Sequence, residues 1–305
     1  MNTKDLAYFD ELISQKNFSK VAKTFNVSQP TITTAIKRLE TEFGAPLVIR
    51  DRIQNTLHVT ESGAQLAEHA KIVLHELRIA HQEIDNLSQN RLILGLPPII
   101  ENHYFPKVGA KLAEAGLLAS LETVEGGSIF LRNAVRDGRV DLTLLGSVEP
   151  LAYQTLIAEE FDRQPFCIYV SKDHPLAQRK RIYFNELRRE NFVFFNSNFI
   201  HNTAFNKLTR RNHFRPNIVF RSNDTHVLMK LIGENVGVGF FTRIVDHYRK
   251  DVVRLDLMDT EPPEFITSIV YRTTHILTPV QHQLLTIMHD TLATNEDDTA
   301  ASDES

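Results

Sequence analysis

The sequence predicts a multi-domain chain: an all-α winged helix-turn-helix in front, one long linker helix, and an α/β domain behind. Three observations carry this. Apolar residues recur at helical spacing in three short, turn-bounded segments before residue 60, a heptad seam runs from 66 to 87, and beyond residue 90 short apolar runs alternate with helical stretches. A length of 305 residues suits more than one domain, and 42% hydrophobic against 24% charged residues can bury a sizeable core.

Leu6, Phe9, Leu12 and Ile13 give the first helix, over residues 3–16, a single apolar stripe. Ser19 stands where a cap is wanted for a second helix, residues 20–25, with Val21, Ala22 and Phe25 facing inward. After a turn at 26–28, Ser28 caps a third helix, with Pro30 in its first turn where a missing N–H costs little. Ile32, Ile36, Leu39 and Phe43 form its buried stripe, and Gly44 supplies a left-handed C-cap. Two short helices joined this way are a helix-turn-helix. Leu47, Ile49, Ile53, Leu57 and Val59 then alternate with polar residues, which predicts a two-stranded wing turning near 54–56.

Thr60 is placed to cap a helix that runs to about residue 89. Leu66, Ala70, Val73, Leu77, Ala80, Ile84 and Leu87 follow one another at alternating intervals of four and three, with polar flanks, so a dimerisation seam is expected. The alternative is an amphipathic helix lying on its own domain's core. Strands alternating with helices beyond residue 90 predict a largely parallel α/β arrangement, in two sheets given the length. Residues 295–305 are acidic and free of Lys and Arg, and read as a solvated, disordered tail.

Charge and motifs exclude several functions. Residues 1–60 carry a net +2 and the remainder −6, so the positive charge gathers at the front of a chain that is −4 overall. The single cysteine, Cys167, rules out an internal disulfide or a Cys-based zinc cluster. No apolar run approaches the roughly 18 residues of a membrane span, and the polar start lacks a signal sequence, so a cytoplasmic protein is expected. There is no G-x-S-x-G, H-E-x-x-H, P-loop or C-x-x-C, hence no enzyme, cofactor or metal is expected. His69, His75 and His81, six apart on a helix, turn away from one another and read as surface residues. Asp141 reads as structural.

The outer side of the third helix offers Ser28, Gln29, Pro30, Thr31, Thr33, Thr34, Lys37 and Arg38, and the wing offers Arg50 and Arg52. Gln29 can pair with adenine, threonine methyls can meet thymine, and Lys and Arg can grip phosphates, so double-stranded operator DNA is the expected partner.

Phe18-Ser-Lys-Val-Ala22, Val27-Ser-Gln-Pro-Thr-Ile-Thr33, Ile36-Lys-Arg-Leu-Glu40, Phe43-Gly44, Leu47, Arg50 and Thr60-Glu-Ser-Gly63 stand in an order that resembles the LysR-type transcriptional regulators. Weaker echoes follow in Gly138-Arg-Val-Asp-Leu142, His174-Pro-Leu-Ala177 and Gly233 through Gly239. Val48 stands where the family usually has Phe, and Thr33-Thr34 where Ser and a longer polar residue are commoner. Within the family, the front half is most similar to regulators of malolactic fermentation.

The resemblance implies a DNA-binding domain at 1–60, a dimerisation helix at 61–89 and an effector domain at 90–294 of the periplasmic-binding-protein-like type. That domain would hold two Rossmann-like subdomains, the first made of 90–162 and 266–294 and the second of 163–265. Pro98, Ile99, Ser128, Ser147, Asn196, Ser197, Asn198 and Thr203 would line the cleft between them, a set that suits a small organic acid. L-malate is the first candidate, on the narrower likeness alone. A homodimer or homotetramer is implied, and RNA polymerase is a further partner. Two other readings stay open: a ligand-binding or catalytic α/β protein localised by its DNA-binding module, and an architectural DNA-bending protein without an effector.

Overall fold

The computed structural model describes residues 2–51, 56–88, 92–197, 199–245 and 250–293. It divides into two compact units, Met1–Asp85 and Asn86–Ser305. The first holds α1 (Thr3–Gln15), α2 (Phe18–Thr24), α3 (Gln29–Phe43), the ribbon strands β1 (Val48–Asp51) and β2 (Thr56–Val59), and most of α4 (Glu61–Ser88).

Each of these helices starts on a side chain that takes up an otherwise orphaned N–H. Asn2 accepts from Asp5 N at 2.9 Å, Asn17 from Lys20 N at 3.0 Å, Ser28 from Thr31 N at 3.3 Å and Thr60 from Gly63 N at 3.0 Å. Ser19 is therefore not the cap of α2. Asn17, extended at φ −149°, sets the helix going earlier, from Phe18. Gly44 closes α3 at φ 62°, as its position predicts.

Phe9, Leu12, Val21, Ile32, Ala35, Ile36 and Leu39 fill the core of this unit. Phe43, expected inside, is 49% exposed, because Leu47 and Leu57 join the core from the far side of Gly44. Phe25 is also largely outside, with its ring edge-on to Tyr8 at 4.8 Å. In the ribbon Val48 lies opposite Val59 and Asp51 opposite Thr56, and the expected turn falls outside the described residues. Glu40 anchors it by accepting from Leu47 N at 2.9 Å, and the Thr60 hydroxyl donates to Pro46 O at 2.7 Å. Here α4 meets the wing so closely that a Cβ on Gly63 would sit 2.1 Å from Leu47 O, which only glycine avoids.

The structure divides the predicted heptad seam. Leu66 and Ala70, expected at a dimer interface, are buried with Ala67 and Leu74 in the unit's own core. Val73, Leu77, Ala80 and Ile84 are exposed, as is Ile72 beside them, while the Leu87 side chain falls outside the described residues. The reading of a helix lying on its own domain's core thus holds for the first stretch of α4, and the stretch beyond it presents an exposed apolar face.

The second unit contains β3 (Leu92–Leu96), α5 (Pro98–Glu114), β4 (Leu121–Glu125), α6 (Ser128–Arg136), β5 (Leu142–Ser147), β6 (Leu156–Ser171), β7 (Arg181–Ile182), β8 (Asn191–Phe195), α7 (His201–Arg211), β9 (Asn217–Ser222), α8 (Thr225–Gly233), β10 (Gly239–Thr242), β11 (Val252–Leu257), β12 (Glu264–Arg272) and α9 (Pro279–Ala293). The main sheet runs β4-β3-β5-β12-β6-β11-β7, with β10 also on β6.

It is mixed rather than largely parallel. β3 is parallel to β4 and β5, but β12 is antiparallel to β5 and β6. The reason is that the chain passes between the two halves on strands, not through helices. Leu156 to Pro165 of β6 pair with β12 in the first half, and Phe166 to Ser171 pair with β10 and β11 in the second. β8 and β9 pair in parallel and join the second half through a bridge from Phe192 to Val238. Leu131 and Val135 of α6 pack with Leu145 and Val270 in one small core, and α5 and α9 pack together.

Candidate DNA-reading surface and effector cleft

On α3, Ser28, Gln29, Pro30, Thr31, Thr34 and Lys37 are exposed and Thr33 is half-buried. Three of the exposed ones are already engaged. Ser28 and Thr31 share a hydroxyl hydrogen bond of 2.8 Å at the cap, and Gln29 Oε1 accepts from Ser19 Oγ at 3.0 Å. Ser19 thus holds one end of the amide expected to read adenine with both, leaving Nε2 to donate. Arg38 is less free than expected. Its guanidinium donates to both carboxylate oxygens of Asp5, through Nε at 3.1 Å, and ties α3 to α1. The Asp5 side chain is 1% exposed while that of Arg38 is 46% exposed, so the arginine keeps one edge toward solvent. The Arg50 side chain and all of Arg52 lie outside the described residues.

In the second unit a narrow cleft opens between the two halves of the domain. Pro97 to Ile100 line it from the start of α5, Gly127 and Ser128 from the start of α6, Phe199, Ile200 and His201 from the start of α7, and Phe265 from β12. Of the expected lining, Pro98, Ile99 and Ser128 are in place. Ser128 Oγ accepts from Gly146 N at 3.0 Å. Gly146 is bare because the Phe265 ring lies where its Cβ would go, 2.3 Å from Cζ.

The other expected residues do not line it. Ser147 is buried at the end of β5 opposite Ile266, with its hydroxyl unpartnered. Asn196 is used locally, donating to Asn223 at 2.8 Å and accepting from Asn202 at 2.7 Å. Ser197 and Thr203 are exposed, and Asn198 lies outside the described residues. Of these polar residues Asn196 satisfies its own loop, and the described walls fall mainly to proline, isoleucine and phenylalanine.

The helices that open on the cleft start without a capping side chain: Pro97 before α5, Gly127 before α6 and Ile200 before α7. These three helix starts line the same space, where among the described residues no Lys or Arg stands, and at α7 the N–H groups of Asn202 and Thr203 already donate to Phe199 O and Ile200 O at 3.0 and 2.9 Å. Among the described residues no group of His, Cys, Asp and Glu could hold a metal ion, and no helix is long and apolar enough to cross a membrane.

Residues 3–64 match the bacterial regulatory helix-turn-helix protein domain of the lysR family, and residues 85–293 match the LysR substrate binding domain. The chain belongs to the LysR family of transcriptional regulators. It is 31% identical over 289 residues to the malolactic fermentation system transcriptional activator of Lactococcus lactis subsp. lactis, covering 94% of this chain and 98% of that protein. A mutant of OxyR from Corynebacterium glutamicum matches its fold over 100% of this chain and 96% of that one, with a TM-score of 0.57 at 19% identity. The effector binding domain of QuiR, in complex with shikimate, matches over 67% of this chain and 98% of that one, with a TM-score of 0.59 at 13% identity.

This LysR-family regulator is thus a DNA-binding protein with an effector-binding domain. Its Gly138 to Leu142 motif is structural: Asp141 accepts from Ile93 N at 2.9 Å and fixes β5 beside β3, and burial pushes its carboxyl up. At the crossing between the two halves, buried Tyr104 donates to Asp162, which also accepts from Gln164 at 3.1 Å. Sequence reasoning missed Ile100, Phe199, Ile200 and Phe265 of the lining and, alone among them in carrying a titratable group, His201. It is 1% exposed, its ring lies against Phe195 at 4.8 Å and Phe166 at 5.4 Å, and burial pushes its pKa down to about 3.

Proposed function

We propose that this regulator is controlled by a small organic acid bound in the cleft of its effector domain. The observation that carries this reading is the convergence on one cleft of three helix starts without a capping side chain and, among the described residues, without a cationic one. The ligand of the QuiR domain, shikimate, is itself an organic acid. L-malate is the candidate suggested by likeness to the malolactic activator. A thiol trigger has less support, since burial pushes Cys167 up to about 12, away from the reactive thiolate. The regulator acts in the cytoplasm as a dimer or tetramer, joined through the exposed stretch of α4, and meets RNA polymerase at its operators.

Footprinting and calorimetry on the full chain test this together. An organic acid should give binding heat and alter the footprint, and silence from a panel of acids would sink the reading. Lys37→Ala should lower the salt slope of DNA binding by roughly one unit, the signature of one phosphate contact. Leu77→Asp should yield a smaller species in sedimentation, because it sets a charge in the exposed apolar seam.

A further inference from the structure

Resting on the organic-acid reading but departing from the dicarboxylate L-malate, we infer that the effector is an acid with a single carboxylate and an apolar body, and that the Nδ1–H of His201 is one of the donors holding the carboxylate. Of the described lining side chains only those of Ser128 and His201 are polar. Pro98, Ile99, Phe199, Ile200 and Phe265 offer nothing to a second carboxylate or a hydroxyl, which would lose water there without gaining a partner. A hydrocarbon body placed against the same walls gains by leaving water.

His201 supplies the second, independent indication. Its Nε2 accepts from Thr242 N at 3.4 Å, so the proton of the neutral ring resides on Nδ1. That nitrogen is buried and has no partner in the protein. A buried donor left open is costly, and its residue stands in the wall of a cleft onto which three helix starts without a capping side chain also open. An anion brought into the cleft satisfies the imidazole and the helix ends together. Because burial holds the ring neutral, His201 acts as a hydrogen-bond donor and not as a cation.

The test is calorimetry on the full chain with phenylacetate, isovalerate, L-malate and the uncharged phenylacetamide. Phenylacetate and isovalerate should bind more tightly than L-malate, and phenylacetate more tightly than phenylacetamide, each by the roughly tenfold or more that one charge-assisted hydrogen bond is worth. His201→Phe keeps an aromatic ring among Phe166 and Phe195 but removes the donor, and should weaken phenylacetate by a similar factor. Should that variant fail to fold, the ¹⁵N–¹H resonance of His201 Nδ1 in the unaltered protein serves instead, and should shift when phenylacetate binds. L-malate binding more tightly than both monocarboxylates, or phenylacetamide matching phenylacetate, overturns the inference and leaves the organic-acid reading standing. Unchanged phenylacetate affinity in a folded His201→Phe, or an unmoved resonance at saturation, overturns the role of His201. No heat from any of the acids overturns both.

Discussion

In the DNA-reading unit Asn2, Asn17, Ser28 and Thr60 each close a helix start with a side-chain oxygen, whereas the three helices that open on the effector cleft begin at Pro97, Gly127 and Ile200, which carry no capping atom. The contrast does not separate one domain from the other as a whole. Within the effector domain α8 starts away from the cleft lining, and Asp224 caps it, accepting from His226 N at 2.8 Å and Val227 N at 3.3 Å. Orphaned N–H groups are thus satisfied internally where a helix start only supports the fold. At the cleft no side chain closes them, and they are left to the backbone, as at Asn202 and Thr203 of α7, or to an outside partner.

The largest expected effect comes from forcing the tightest of the closed ends apart. Gly63→Ala would press a methyl group against the backbone oxygen of Leu47, which cannot give way without moving the wing. We expect a loss of about 3 kcal/mol or more, the upper end of overpacking costs, confined to the N-terminal unit. Hydrogen exchange should show it as faster exchange of the α3 amides, while calorimetry with phenylacetate stays as in the unaltered chain. Unchanged exchange in α3 would mean that the junction between wing and α4 relaxes freely.

Closing one of the open ends should have the opposite signature. Gly127 sits at φ −69° and ψ 155°, a conformation open to any L residue and suited to a cap. Gly127→Ser should therefore stabilise the effector domain by a few tenths of a kcal/mol, as a serine cap does relative to glycine. Its hydroxyl would compete for the N–H groups of α6, so phenylacetate should bind about threefold to tenfold more weakly. Stability and affinity rising together would break the comparison, because the open end would then serve no ligand.

How much of this was legible in the sequence follows the same division. The front unit is local: caps, a C-terminal glycine and apolar spacing are all written within a few residues, and α3 and the start of α4 fall where they predict. The errors there are of two kinds. Ser19 and Asn17 are both good capping residues two positions apart, and only the backbone at Asn17 decides between them. Phe43 fits the period of α3, but the period carries no information about Leu47 folding back beyond Gly44. In the effector domain the first half of β6 reads as polar, because its long stretch beside β12 is stabilised by a strand about a hundred residues away. The cleft was misjudged because small polar residues were taken as ligand contacts, although Asn196 satisfies its own loop. A lone histidine among phenylalanines reads as core. The signal that could have found His201 is its place at the first turn of a helix with no capping residue before it.

The smallest effect concerns a closed end that depends on pH. Asp5 lies three residues after the cap of α1, accepts from Asn2 N at 3.2 Å and receives the Arg38 guanidinium. The hydrogen bond from Arg38, more than any other cause and against the opposing effect of burial, holds its carboxyl below the usual value of 3.8. Near and below 3.8 the unfolded chain therefore takes up a proton more readily than the folded one, and acid favours unfolding. The stabilisation is fully present above the unfolded value and is lost as pH falls through the depressed folded value. Asp5→Asn should be less stable than the unaltered protein at pH 7, and the two urea midpoints should converge in acid below the folded value. The difference at neutral pH should be smaller than that for Gly63→Ala, since the solvent that reaches Arg38 screens the pair. A gap between the midpoints that stays constant from neutral to acid pH would show that the carboxylate charge adds nothing to this helix start beyond the hydrogen bond that an amide also makes.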